Sequence, residues 1–154
     1  MKGESPVDTG SKPQIPSAPK STEQWRHFGD GYLPGLLGLE FGEITRGRVT
    51  SRLTVRREHM APNGYLHAAT IIALTDTACG YGTFASLPDG ARGFTTIELK
   101  ANFLNTVREG ALACEATQVH GGRTTQIWDA RVMDESNARL IALFRCTQLL
   151  LYPS

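Results

Sequence analysis

Asp76 sits inside the most apolar stretch of the chain, between Leu74-Thr75 and Thr77-Ala78. Removing a carboxylate from water is costly unless it finds partners, and carboxylates in such surroundings tend to mark sites. Two chemistries suit it: attack on an acyl carbon as a nucleophile, or removal of a proton from water as a general base. The plainer alternative is an Asp that faces solvent or caps a neighbouring strand. Nine positions earlier comes His67. If a helix begins there, the free N–H groups of its first turn, Ala68 N–H among them, suit an oxygen that gains negative charge. Nine residues span about 13 Å along a helix at ~1.5 Å each, so His67 and Asp76 cannot form a dyad within one protomer. Taken alone, a His at a helix start is a cap or an interface contact.

Other chemistries lack their residues. There is no Gly-x-Ser-x-Gly elbow. The histidines at 27, 59, 67 and 120 have no metal-ligand spacing, and neither a metal nor a cofactor is expected. Cys79, Cys114 and Cys146 are odd in number and widely spaced, so they outline neither a disulfide framework nor a zinc site. That pattern fits a reduced, cytoplasmic setting. Formal net charge is +1, from 16 basic and 15 acidic residues. No strong field is available to draw nucleic acid or an anionic membrane, and neither is expected as a partner. The apolar stretches are too short to span a bilayer, and the N-terminus lacks the apolar core of a secretory signal.

The elements that must carry Asp76 follow from periodicity. Residues 1–20 are rich in Pro, Ser, Gly and Lys and read as a disordered arm; residues 21–154 read as one domain. Ser21 or Thr22 caps a short helix with Trp25, Phe28 and Tyr32 on one face, ended by Gly31, Pro34 and Gly35. A short strand is expected over 36–43 and a half-buried one over 48–56, where Val49, Ser51, Leu53 and Val55 alternate with polar residues. A loop broken by Pro62 and Asn63-Gly64 leads into the longest helix, 67–85, whose many small residues allow a sheet to wrap it closely. Four strands follow, over 94–103, 110–119, 124–133 and 138–152, joined by short turns and therefore largely antiparallel. Trp128, Phe144 and Phe103 are expected in the core. The economical packing is α+β, an antiparallel sheet curled around one central helix.

Asn63-Gly64-Tyr65-Leu66-His67-Ala68-Ala69, the run to Thr75, and Asp76 together resemble the signature of the PaaI-type hotdog-fold acyl-CoA thioesterases. Thr95-Thr96-Ile97-Glu98-Leu99, Arg108-Glu109-Gly110 and Gly121-Gly122-Arg123-Thr124 resemble later parts of that family, so the likeness covers roughly residues 36–150. It implies a hotdog fold, a homodimer or homotetramer, and acyl-CoA bound between protomers, with CoA as part of the substrate. It implies that Asp76 acts as nucleophile or general base and that Ala68 N–H polarises the thioester carbonyl. Thr96 would hold the water or the carboxylate, from the other protomer in relatives, so His67 and Asp76 would serve different sites. Two positions depart from the pattern. Ala68 stands where Gly is usual, and Ala61 stands where an Asn or Gln is common; either the loop shifts and Asn63, two residues later, substitutes, or this polar partner is missing. For CoA, the expected contacts are Gly64, Gly122, Arg123 and Arg108, with Lys100 as a further cation; each charge is otherwise an ordinary solvated strand end. His59 and Arg57 are placed at the entrance, and Tyr81 and Phe84 at an acyl channel or an interface.

Two other functions compete. A hydratase or dehydratase on the same fold would need other His and Asp or Glu spacings, which are absent. A non-catalytic acyl-CoA-binding protein draws on the Ala61 and Ala68 departures.

Overall fold

The computed structural model describes residues 15–153. The first fourteen positions of the expected arm therefore lie outside the described residues. Residues 15–20 run without regular structure, with Ala18 packed on the core and Ile15 close to Gly93.

Ser21 caps α1 (Thr22–His27), its hydroxyl accepting from Gln24 N at 3.2 Å. The next stretch differs from expectation. Residues 33–37 form a second short helix, α2 (Leu33–Leu37), and the strand begins only at Leu39. Pro34 starts this helix rather than ending the first one, as its fixed φ and missing N–H favour. Gly38 closes α2 at φ 73°, a left-handed position suited to Gly. Tyr32 then falls between the helices and is exposed, away from the buried Trp25.

Six strands follow the expected scheme: β1 (Leu39–Thr45), β2 (Arg48–Thr54), β3 (Gly93–Phe103), β4 (Ala111–Gly121), β5 (Thr125–Asp134) and β6 (Leu140–Leu151). They form one antiparallel sheet in the order β1-β2-β4-β5-β6-β3. The alternation read in β2 is observed, with Val49, Ser51 and Leu53 buried. The fourth strand runs two residues past the expected 119, because a bulge between Gln118 and His120 lets pairing continue.

The sheet wraps α3 (Ala68–Ala85), the hotdog arrangement. Close approach depends on small residues. A Cβ on Gly82 would lie 2.5 Å from the Trp128 ring, and one on Gly80 would lie 3.0 Å from Phe94. Trp128 and Phe144 are core as expected. Phe103 is not; it is 45% exposed, near the end of an edge strand whose register has shifted between Thr96 and Glu98. Tyr81 and Phe84 join Trp25, Phe28 and Phe41 in an aromatic cluster.

His59 is fully buried rather than lining an entrance. Its Nδ1 accepts from Arg56 N at 3.0 Å, so Nε2 carries the hydrogen and donates to Leu37 O at 2.9 Å. Its carbonyl accepts from His67 N at 3.1 Å and from Thr70 Oγ1 at 2.8 Å. This residue ties α2 to the start of α3. His59→Leu leaves two partly buried backbone groups, Arg56 N and Leu37 O, without this partner, and chemical denaturation is expected to show a loss of roughly 2 kcal/mol.

Candidate active site

The loop before α3 is built to aim the helix start. Asn63 Oδ1 accepts from Tyr65 N at 3.2 Å, a local turn that Gly64 completes at φ 82°. Met60 bridges to Leu66, and Leu66 N donates to Thr106 Oγ1 at 3.1 Å. Arg108 Nε donates to Gly64 O at 3.3 Å, and its guanidinium lies 5.6 Å from the Tyr65 ring centroid. The Asn63 side chain is thus engaged in shaping the loop, and Arg108 and Gly64 meet beside the helix start.

His67 is the N-cap of α3. Its Nδ1 accepts from Ala69 N at 3.0 Å, and its carbonyl accepts from Thr70 N at 3.0 Å. Among the described residues, Ala68 N–H has no acceptor. One donor at the positive end of an eighteen-residue helix is therefore left for an outside oxygen. Residues 67–69 are exposed, and the face continues down the helix through the partly exposed Ile72, Ala73 and Asp76. A cavity of about 290 Å³ opens beside this end, lined among others by Leu33, Met60, His67 and Ala73.

Asp76 is half-buried, two turns further along. Thr96 Oγ1 lies 3.1 Å from its Oδ1. Both residues belong to one chain, so the hydroxyl need not come from a partner. The bulge after Thr96 explains its position: Phe94 and Thr96 turn toward α3 before the register changes. Burial pushes the Asp76 carboxyl above the usual carboxylate range, and the Thr96 hydrogen bond partly opposes it. Such a carboxylate is a stronger base than a solvated one.

A further residue meets this pair. Gln148 of β6 is fully buried, and its carboxamide lies 2.9 Å from Thr96 Oγ1. It continues the inward row Ala142, Phe144, Cys146, where a polar residue in an apolar face was the available signal.

The two groups of expected CoA contacts lie apart. Gly122 N donates to Thr125 O at 2.8 Å in the β4–β5 turn, and Arg123 O accepts from the Tyr152 hydroxyl. That turn adjoins the far end of α3, where Gln126 Nε2 donates to Ser86 O at 3.0 Å. Eighteen helical residues, about 27 Å, therefore separate Gly122-Arg123 from Gly64-Arg108 within one chain. Lys100 faces the outer side of the sheet, near Asp129 and Arg145. An apolar cavity of about 320 Å³ lies between α3 and the start of β3, lined by Phe28, Gly80, Tyr81, Phe84 and Phe94, with Ile15 and Pro16 over it. Gly80 is one helical turn beyond Asp76, and Phe94 is the next inward residue before Thr96.

The sequence model of the thioesterase superfamily matches residues 63–141. ComA2 of Bacillus subtilis, named as an esterase, is 35% identical over 111 residues, 72% of this chain and 87% of its own. The 1,4-dihydroxy-2-naphthoyl-CoA hydrolase of Listeria monocytogenes is 29% identical over 111 residues, covering 72% and 89% of the two chains. The crystal structure of thioesterase HI1161 from Haemophilus influenzae superposes with a TM-score of 0.78 at 23% identity, over 90% of this chain and 96% of that one.

Proposed function

The chain belongs to the thioesterase superfamily and is a thioester hydrolase; on that premise we propose that Asp76 is the general base for water attack on an acyl-CoA. The observation that carries this reading is a half-buried carboxylate of raised pKa, held by a hydroxyl on one oxygen and with no partner on the other among the described residues. Asp76 takes a proton from water while the water oxygen bonds to the thioester carbon. The carbonyl oxygen gains charge and accepts from Ala68 N–H. Collapse breaks the C–S bond, and the Asp76 carboxyl returns its proton to the departing CoA thiolate. A thioester has little resonance to lose, so a carboxylate with one oxyanion donor suffices. The scheme needs no metal and no cofactor beyond the CoA of the substrate.

Geometry favours two copies per site. Ala68 and Asp76 are eight positions apart, about 12 Å along one helix, so one thioester carbon cannot meet both from the same chain. The exposed stripe from His67 to Asp76 and the unpaired outer edge of β3 supply the faces for a homodimer, which can pair again as a tetramer. The same pairing would bring Arg108-Gly64 of one copy toward Arg123-Gly122 of the other to hold CoA. The aromatic cavity beyond Asp76 and the name of the Listeria relative favour an aromatic acyl group.

Free thiol released from a panel of aromatic and straight-chain acyl-CoAs tests this. The expected result is turnover, with kcat/KM highest for aromatic acyl groups. Tight binding without thiol would instead support a non-catalytic acyl-CoA carrier, and loss of an enoyl double bond without thiol would support a hydratase. A second variant probes the carboxylate's partner. Thr96→Val removes a hydrogen bond that lowers the Asp76 pKa. The acid limb of kcat is therefore expected to move to higher pH, with about a tenfold loss of rate on the plateau.

A further inference from the structure

We propose that Gln148 is a positioning residue that directs the single Thr96 hydroxyl hydrogen onto Asp76; this rests on the reading of Asp76 as the base. Gln148 sits directly opposite Thr96 in the β3–β6 register and is fully buried. Thr96 Oγ1 lies 2.9 Å from the carboxamide atom placed as Gln148 Oε1 and 3.1 Å from Asp76 Oδ1, so the hydroxyl faces two acceptors. A threonine hydroxyl has one hydrogen. If the carboxamide offers its oxygen, two acceptors compete for that hydrogen, and whichever loses is left facing an oxygen lone pair. Amide oxygen and nitrogen exchange places by a half-turn, and hydrogen counting decides between them. With Nε2 toward Thr96, the amide donates to Oγ1 and the hydroxyl donates to Asp76. The amide oxygen then faces Cys146 Sγ, 3.4 Å from the other end of the carboxamide, and accepts its S–H. With Asp76 ionised, as a base must be, every buried group in the row has a partner only in this arrangement.

The direction matters because Asp76 needs a donor when ionised and its hydroxyl partner must not turn away. Other groups near the carboxylate do not replace it. Cys79 on its own helix, Cys146 on β6 and Cys114 on β4 are buried thiols, and burial pushes those of Cys79 and Cys114 well up. Thr96 and Gln148 carry no charge. The donor chain Gln148 to Thr96 to Asp76 is thus what holds the base ionised and oriented.

Gln148→Met keeps an unbranched side chain of similar size and removes the donor. The expected result is a fall in kcat of five- to tenfold, KM within twofold, and an acid limb raised by roughly half a pH unit. In a Thr96→Val background, Gln148→Met is expected to add nothing to the acid limb, since it acts through that hydroxyl. An unchanged acid limb in the single variant, or equal shifts in both backgrounds, would overturn the proposal. One measurement on the unaltered protein is independent of turnover and of any variant's folding. Nuclear Overhauser contacts from the Gln148 side-chain NH2 should reach the Thr96 side chain; contacts to the Cys146 side chain alone would overturn the assignment. If the protein released no thiol from any acyl-CoA, the reading of Asp76 as the base would fail, and the NH2 contacts would still judge the orientation.

Discussion

Asp76→Asn is expected to lower kcat for acyl-CoA hydrolysis by about 10³-fold, within the range for loss of a positioned base, while leaving the fold as stable or more so. Asn keeps the shape and an acceptor for Thr96 but cannot take a proton from water. The stability half follows from sign. Burial raises the folded-state pKa of Asp76 above its unfolded value, so the charged form is favoured less in the fold than in the unfolded chain. Its contribution is fully present below the unfolded pKa and is lost as pH rises through the folded one. Near neutral pH the charge is therefore a burden that Asn removes, and the advantage of the variant should shrink as pH falls through the raised pKa. Thiol-release kinetics and thermal melts of the two proteins between pH 4 and 8 read both halves. A variant that lost activity together with stability would point to a structural Asp instead.

Trp128→Ala is expected to cost about 3–5 kcal/mol, the usual range for deleting a buried aromatic side chain. Trp128 is fully buried. Its indole packs where a Gly82 side chain would be, and its Nε1 donates to Gln126 Oε1 at 2.9 Å. Gln126 in turn donates to Ser86 O at the end of α3. Removing the ring opens a cavity at the closest approach of helix and sheet and leaves Gln126 short of a donor. A fall in Tm of roughly 10–20 °C should accompany it. The mirror experiment, Gly82→Ala, forces a methyl into the same ring and should cost about 1–3 kcal/mol by overpacking.

The parts of this molecule that follow simple periods were legible in the sequence. Val49, Ser51 and Leu53 announced a half-buried strand by alternation, and the small residues around Asp76 announced a helix that a sheet could wrap. Of the candidate site, Asp76 stood out as a carboxylate in an apolar stretch, and the family resemblance pointed to Thr96 on the next strand. What stayed hidden depends on contacts between distant segments. Pro34 can end one helix or start another, and only the packing of α2 against α3 decides. His59 looked like a loop residue because its partners, Leu37 O and Arg56 N, are backbone groups without a signature. Asn63 offered a possible substitute for the polar residue that Ala61 replaces, yet its Oδ1 closes a turn by accepting from Tyr65 N. Phe103 looked like core because hydrophobicity does not reveal a bulge two turns of pleat away. Gln148 was overlooked because a lone Gln in a strand acquires meaning only from the residue opposite it.

The central claim, that Asp76 activates water rather than attacking the thioester itself, is tested most directly by one turnover with enzyme in excess over acyl-CoA in H₂¹⁸O. Attack by water places ¹⁸O in the released acid on the first turnover and leaves the Asp76 carboxyl unlabelled. An acyl group found on the Asp76 side chain by peptide mass spectrometry during that turnover, or ¹⁸O in that side chain with an unlabelled acid, would contradict the account and make Asp76 the nucleophile.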